Sequence, residues 1–114
     1  MPNQMKVNTI EPNDINHLIN LLNEIQASDI NMIDVSQQTS VTDYMIICSG
    51  RSSRHVKAIG ESLLEQIKKN GQTPLGCHGL ETGDWVLIDL GDCVIHIMQA
   101  ETRAHYNLED LWHT

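Results

Sequence analysis

The fold is decided by residues 84–99, which read DWVLIDLGDCVIHIMQ. Two largely apolar runs flank Gly91-Asp92, a dipeptide typical of the tight turn of a β-hairpin. Along both runs the side chains alternate with the period of two that a strand requires. We therefore predict two antiparallel strands, residues 84–90 and residues 93–99, joined by a two-residue turn.

The predicted register divides the hairpin into two faces. With a two-residue turn, Leu87 pairs with His96 and Trp85 pairs with Met98, whereas a longer turn would mix the two faces. The first face is aliphatic and suits packing under helices. It comprises Val86, Ile88, Leu90, Cys93, Ile95 and Ile97. The second face comprises Trp85, Leu87, Asp89, Val94, His96 and Met98.

The second face has the composition of a protein-binding patch. A solvated sheet surface should be polar and a helix-covered one aliphatic, but this face combines tryptophan and methionine with a few polar groups. We predict that a partner binds there through Trp85, Leu87, His96 and Met98. The alternative is that a third helix covers this face and makes Trp85 an ordinary core residue.

Apolar spacing predicts further elements along the rest of the chain. Helices carry apolar residues every three or four positions, and strands are short apolar or β-branched runs. In chain order we predict a helix from Pro12 to about Ala27, strands at 30–35 and 44–48, a helix capped by Ser52 or Ser53 that stops at Asn70-Gly71, an edge strand at 75–78 and, after the hairpin, a helix at 107–112.

These elements define one α/β domain with the order α-β-β-α-β-β-β-α. The 114 residues are too few for two independent cores. Hairpins pair strands antiparallel and a helix crossover joins parallel strands, so we expect a mixed sheet of about five strands with flanking helices. We expect the domain to span residues 12–114, after a flexible lead-in at residues 1–11.

The charge of the chain disfavours nucleic acid as a direct ligand. The 15 acidic residues outnumber the 7 Lys and Arg, which gives a formal net charge of −8 and repels phosphate backbones and anionic membranes. Residues 51–69 carry five bases and two acids, whereas residues 70–114 carry seven acids and one base. The acidic part holds the second hairpin face, which favours a basic protein partner. A charge that serves only solubility is the alternative.

The cysteines predict reduced thiols and no metal site. Cys48, Cys77 and Cys93 form neither an even framework nor a CxxC pair. Cys93 and His96 are three positions apart on a strand, so their side chains point to opposite faces and do not converge on zinc. No apolar stretch is long enough for a membrane span and the first fifteen residues lack a leader pattern, so we expect a cytoplasmic protein. We also expect no cofactor.

Residues 49–54, which read SGRSSR, are a candidate for phosphate chemistry. They link a strand to a helix N-terminus, where free N–H groups attract anions. With Asp89 and Asp92 as metal carboxylates a nucleotidyl transfer site can be drawn, but no Walker pattern accompanies it and Asp92 belongs to the turn. We favour the simpler interpretation, in which a serine of this loop caps the helix and its two arginines are solvated.

A series of motifs runs through most of the chain. They are residues 43–50 (DYMIICSG), 52–56 (SSRHV), 83–92 (GDWVLIDLGD), 96–98 (HIM), Glu101, Arg103, Tyr106 and 108–112 (LEDLW). In order and spacing, from about residue 13 to residue 112, they closely resemble the ribosomal silencing factor family, also called Iojap-like proteins.

This resemblance implies a nucleotidyltransferase-like fold without the catalytic acids of those enzymes. It also implies binding to the large ribosomal subunit through its fourteenth ribosomal protein, on the face that meets the small subunit. The subunits then do not join, and translation falls under nutrient limitation or in stationary phase. In the family the tryptophan that matches Trp85 makes this contact. Leu87, His96 and Met98 join it by the register alone.

We therefore expect a non-enzymatic repressor of translation that needs no direct contact with nucleic acid or membrane. Two alternatives remain. One is a nucleotidyltransferase-like, nucleotide-binding enzyme that uses residues 49–54. The other is a homodimer of the free protein, in which the second hairpin face meets its own copy.

Overall fold

The computed structural model describes residues 12–111, with side chains from residue 15 onward. The predicted lead-in at residues 1–11 and Trp112, the last residue of the predicted terminal helix, lie outside the described residues. The predicted bounds of the domain therefore stay a prediction.

The described residues form a five-stranded mixed sheet with helices on both sides. Its strand order is β1-β2-β5-β4-β3, in which β2 and β5 are parallel and the other neighbours are antiparallel. The elements are α1 (Pro12–Glu24), β1 (Ser28–Asp34), β2 (Tyr44–Gly50), α2 (Ser53–Lys69), β3 (Gly76–His78), β4 (Trp85–Asp89), β5 (Cys93–Gln99), α3 (Ala100–Tyr106) and α4 (Leu108–Leu111). The predicted mixed sheet is confirmed, and β3 lies at its edge as predicted.

The register of the β4–β5 hairpin is also confirmed. Trp85 pairs with Met98 and Leu87 pairs with His96. The Leu90 N–H donates to the Cys93 carbonyl at 2.9 Å, which closes the two-residue turn. Gly91 in that turn has φ +92, a left-handed conformation that glycine adopts without steric cost.

The main core lies between the sheet and the helices α1 and α2. The buried side chains of α2 recur every three or four positions as one stripe and are Val56, Ile59, Leu63 and Ile67. Close packing requires a glycine in this stripe, because a Cβ on Gly60 would lie 3.1 Å from both Leu80 Cδ2 and Val86 Cγ1. Burial of each large aliphatic side chain here contributes about 2 kcal/mol to stability.

The end of α1 and the start of β1 differ from the prediction. The helix ends at Glu24 rather than near Ala27, because Gln26 adopts a left-handed φ of 67 and the Ala27 N–H donates back to the Leu22 carbonyl at 2.9 Å. Strand β1 begins at Ser28, two residues earlier than predicted, and its pairing with β2 is irregular between Ser28 and Asn31.

In the C-terminal segment the predicted terminal helix is confirmed at Leu108–Leu111, but the turn predicted before it is wrong. Residues 100–106 already form α3, and α4 follows after Asn107. Asn107 separates the two helices because it is left-handed, with φ 51 and ψ 51, and its N–H donates to the Arg103 carbonyl at 2.8 Å. Helix α3 has no buried residue, so apolar spacing carries no signal for it.

Within residues 12–111, no helix combines the length and the apolar content that a membrane crossing requires.

Candidate partner-binding face

The sheet surface opposite α1 and α2 is termed the Trp85 face. Strand register places on it alternate residues of three adjacent strands. They are Trp85, Leu87 and Asp89 of β4, Val94, His96 and Met98 of β5, and Met45, Ile47 and Ser49 of β2.

The C-terminal helices cover one part of the Trp85 face. Leu108 packs against a second, smaller core that consists of Val35, Met45, Ile47 and Met98, with Ile33 and Trp85 at its edge. The alternative of a third helix on this face is therefore partly right. That cover is incomplete over β4, where Tyr106 of α3 lies against Trp85 but both Trp85 and Leu87 remain half-buried.

The four predicted contact residues lie at two depths. Trp85 and Leu87 are half-buried and present surface to solvent. His96 is only 5% exposed and Met98 is fully buried. Trp85 and Leu87 are therefore accessible to a partner. His96 and Met98 are buried in the layer beneath them.

Trp85 and His96 are joined by a side-chain hydrogen bond. The indole Nε1–H of Trp85 donates to Nδ1 of His96 at 2.9 Å, and the ring centroids are 5.8 Å apart. Because an indole N–H only donates, Nδ1 accepts and the ring proton of a neutral imidazole resides on Nε2. Burial lowers the pKa of His96 from 6.5 to about 4, so the imidazole is neutral at physiological pH.

Tyr106 extends the aromatic surface beyond the four predicted residues. Its ring centroid lies 5.0 Å from that of Trp85 with the planes tilted by 49°, and the side chain is 55% exposed. The sequence interpretation did not select Tyr106 as a site residue. The chain holds only two Trp and two Tyr, and this scarcity of aromatic residues could have drawn attention to Tyr106.

Arg103 anchors the C-terminal helices to the sheet. Its Nη1 donates to the Asp29 carbonyl at 2.8 Å and to Ser49 Oγ at 2.9 Å, and its Nε and Nη2 donate to the Glu109 carboxylate. Asn31 Nδ2 donates to the same carboxylate at 2.7 Å. The hydrogen bond from Arg103 is the main reason that the pKa of Glu109 is lowered. The sequence interpretation missed this network as well.

The loop at residues 49–54 caps helix α2 and leaves its arginine side chains in solvent. Ser52 Oγ accepts the His55 N–H at 3.1 Å and caps α2, which confirms the simpler interpretation. The Arg51 N–H donates to Nδ1 of His55 at 2.9 Å, and the side chains of Arg51 and Arg54 are exposed. At the hairpin end, Asp89 Oδ1 accepts the Gly91 N–H at 2.8 Å.

The cysteine thiols are poorly suited to nucleophilic chemistry. Burial raises the pKa of both Cys48 and Cys93 to about 12. Burial, and then the charge of Glu81, raises the pKa of Cys77. Cys93 lies in the main core and His96 on the opposite face, as the strand alternation predicted. Among the described side chains, no three of His, Cys, Asp or Glu come together as metal ligands would.

Comparisons with known proteins agree with this fold. The profile of a family described as "Ribosomal silencing factor during starvation" matches residues 8–114. "Ribosomal silencing factor RsfS" from Haemophilus influenzae is 42% identical over 98 residues, which is 86% of this chain and 96% of the relative. The mouse protein "Mitochondrial assembly of ribosomal large subunit protein 1" is 38% identical over 102 residues, 87% of this chain and 45% of its own length.

A crystal structure of a Chromobacterium violaceum protein shares the architecture. Its TM-score is 0.85 at 38% sequence identity, over 90% of this chain and 87% of the other. The protein is thus one of a class of small α/β proteins with a five-stranded mixed sheet, a class found in bacteria and represented in mitochondria. Within that class, the chain belongs to the ribosomal silencing factor family.

Proposed function

We propose that this protein represses translation by docking on the large ribosomal subunit through the Trp85 face and preventing the small subunit from joining. The name of the Haemophilus relative supports silencing of the ribosome, and the name of the mouse relative, which refers to assembly of the ribosomal large subunit, supports a role at that subunit. The proposed partner is the fourteenth ribosomal protein of the large subunit, as the family resemblance implies. Nutrient limitation or stationary phase is the proposed setting.

The observation that carries this proposal is the state of Trp85. Its indole N–H already has an acceptor within the protein, yet the residue remains partly exposed to solvent. A partner can therefore cover the ring without leaving a polar group unpaired, which favours binding. Half-buried aromatic residues beside other apolar groups, here Leu87 and Tyr106, are typical of the residues that dominate binding energy.

The charge near this surface matches a basic protein partner. Asp89, which the register places on the Trp85 face, is partly exposed, and Glu101 is exposed at the start of α3. Acidic groups around an apolar contact accelerate encounter with a basic surface and disfavour ribosomal RNA. The protein would reach the ribosome through protein contacts, and its bulk would obstruct the approach of the small subunit.

The proposal is that of a binding module rather than an enzyme, and it assigns no cofactor. It places the protein on cytoplasmic ribosomes.

Trp85→Glu tests the proposed surface. A carboxylate in an apolar contact should reduce large-subunit binding by at least about 100-fold, because the charge would be desolvated on docking. The measurement is co-sedimentation with isolated large subunits, small subunits and intact ribosomes, with circular dichroism as the check of folding. Binding of the wild-type protein to free large subunits alone is the expected pattern.

Val41→Glu is the matched control for this experiment. Val41 is 81% exposed and precedes Tyr44, which pairs with Cys93, so it lies at the end of the sheet away from the Trp85–Met98 pair. It should bind as the wild type does. If Trp85→Glu still binds large subunits, the Trp85 face is not the docking surface. If the sedimentation of the free protein depends on its concentration, the homodimer is favoured instead.

A further inference from the structure

Trp85 is held from two sides within the free protein. His96 lies below it and accepts its N–H at 2.9 Å, while the Tyr106 ring lies 5.0 Å away and is 55% exposed. A half-buried tryptophan without an acceptor would have to turn its N–H toward water or leave it unpaired. The His96 hydrogen bond therefore selects one orientation of the indole.

His96 is well placed to fix that orientation. It lies on the central strand β5, where its neighbours in the register are Leu87 on β4 and Ile47 on β2. Neither of these apolar side chains competes with Trp85 for Nδ1. At 5% exposure the imidazole has little access to a docking partner, so its effect on binding has to pass through Trp85.

We propose that His96 is a positioning residue: its neutral imidazole, with the proton on Nε2, holds the Trp85 indole in the orientation that docks. Binding then costs less side-chain entropy, because the aromatic group is already ordered before contact. The inference rests on the proposed function, since it assumes that Trp85 docks, and it deepens that function by separating the residue that touches the partner from the one that orients it.

The hydrogen bond can be detected directly in the free protein. Nuclear magnetic resonance of the ¹⁵N-labelled wild type should show a scalar coupling across the N–H···N bond between Trp85 Nε1 and His96 Nδ1. The histidine ¹⁵N shifts should report the Nε2–H tautomer. A His96 ring that carries its proton on Nδ1, or an absent coupling, would overturn the assignment without any measurement of binding.

Two substitutions then separate orientation from packing. His96→Asn keeps an acceptor near the position of Nδ1, whereas His96→Leu fills a similar space without one. We expect His96→Asn to bind large subunits within about threefold of the wild type and His96→Leu to bind about tenfold more weakly, the equivalent of one lost hydrogen bond. Equal binding by the two variants, whether strong or weak, would exclude positioning through Nδ1.

Trp85→Glu in the same assay distinguishes the two levels of the proposal. If Trp85→Glu loses binding while His96→Leu binds normally, the docking surface stands and the positioning role falls. If Trp85→Glu itself still binds, the proposed docking function fails, whatever the His96 variants do. Should His96→Leu fail to fold, the coupling and the tautomer of the wild type decide the positioning role.

Discussion

Arg103 in α3 and Glu109 in α4 form a two-point ion pair, with 3.1 Å between Nε and Oε1 and 2.9 Å between Nη2 and Oε2. The left-handed Asn107 lies between them in sequence and turns the chain so that the two side chains meet. Because Arg103 also bonds to Asp29 and Ser49, this pair fastens both helices to the sheet. The C-terminal helices thereby form a fixed border of the Trp85 face.

Arg103→Lys should loosen this border. Lysine keeps the charge but cannot supply the fork of donors that Arg103 uses, and the Arg103 side chain is only 14% exposed. We expect the free energy of unfolding in urea to fall by about 2 kcal/mol. The control is Arg54→Lys at an exposed arginine, where the change should stay within about 0.5 kcal/mol. Equal effects of the two substitutions would contradict the anchoring role.

Gly79→Ala should be far more damaging than Gly71→Ala, although both glycines have positive φ. A Cβ on Gly79 would lie 1.9 Å from the Trp85 carbonyl oxygen, whereas a Cβ on Gly71 meets nothing within 4 Å. We expect Gly71→Ala to cost about 1 kcal/mol from its backbone conformation alone. Gly79→Ala should cost on the order of 3 kcal/mol or more, because the start of β4 has to move.

Chemical denaturation of both glycine variants provides the measurement. Gly79→Ala should also weaken large-subunit binding wherever it still folds, since the backbone displacement occurs at Trp85 itself. A stable Gly79→Ala variant with normal binding would show that β4 tolerates the shift.

The stability of the protein should fall in acid partly because of His96. Its pKa is about 4 in the folded protein and 6.5 as the ordinary value, so the unfolded chain takes up the proton first as the pH falls. The contribution is fully present above pH 6.5 and is lost between about pH 6.5 and pH 4. The loss amounts to about 3 kcal/mol.

His96→Asn isolates this contribution to the pH dependence. The carboxylates titrate in both proteins, and Asn does not titrate. The difference between the two curves of unfolding free energy against pH should therefore carry the histidine effect. Parallel curves between pH 4 and pH 6.5 would show that the folded protein accepts a proton on His96 without cost.

The three thiols should differ in reactivity. At about pH 8 an aromatic disulfide reagent should label only Cys77 in the folded protein, and slowly, since burial raises the pKa of that thiol. Cys48 and Cys93 are fully buried with pKa values of about 12 and should react only after unfolding. Mass spectrometry of the labelled chain distinguishes the sites. Rapid labelling of Cys93 would mean that the main core opens.

Local sequence patterns predicted the sheet well and the C-terminal helices at its border less well. The register that places Leu87 opposite His96 follows from an alternation and a turn within sixteen residues, and the structure confirms it. The stripe of α2 follows in the same way from its own spacing. The predicted terminal helix is confirmed by α4. Helix α3 has no buried residue, so no apolar period marks it, and the turn predicted there was wrong.

The strands, the hairpin register, the acidic character of the chain and the candidate contact Trp85 could all be read from the amino-acid sequence. Each of these depends on residue type or on neighbours a few positions apart. Three features required the folded protein: His96 accepts the Trp85 N–H, Tyr106 lies beside the indole, and Met98 is buried under α4. These features could not be predicted because they depend on residues that are far apart in the sequence. Arg103, for example, donates to Ser49 and Asp29, which are 54 and 74 positions away, and contacts at such separation leave no periodic pattern along the chain.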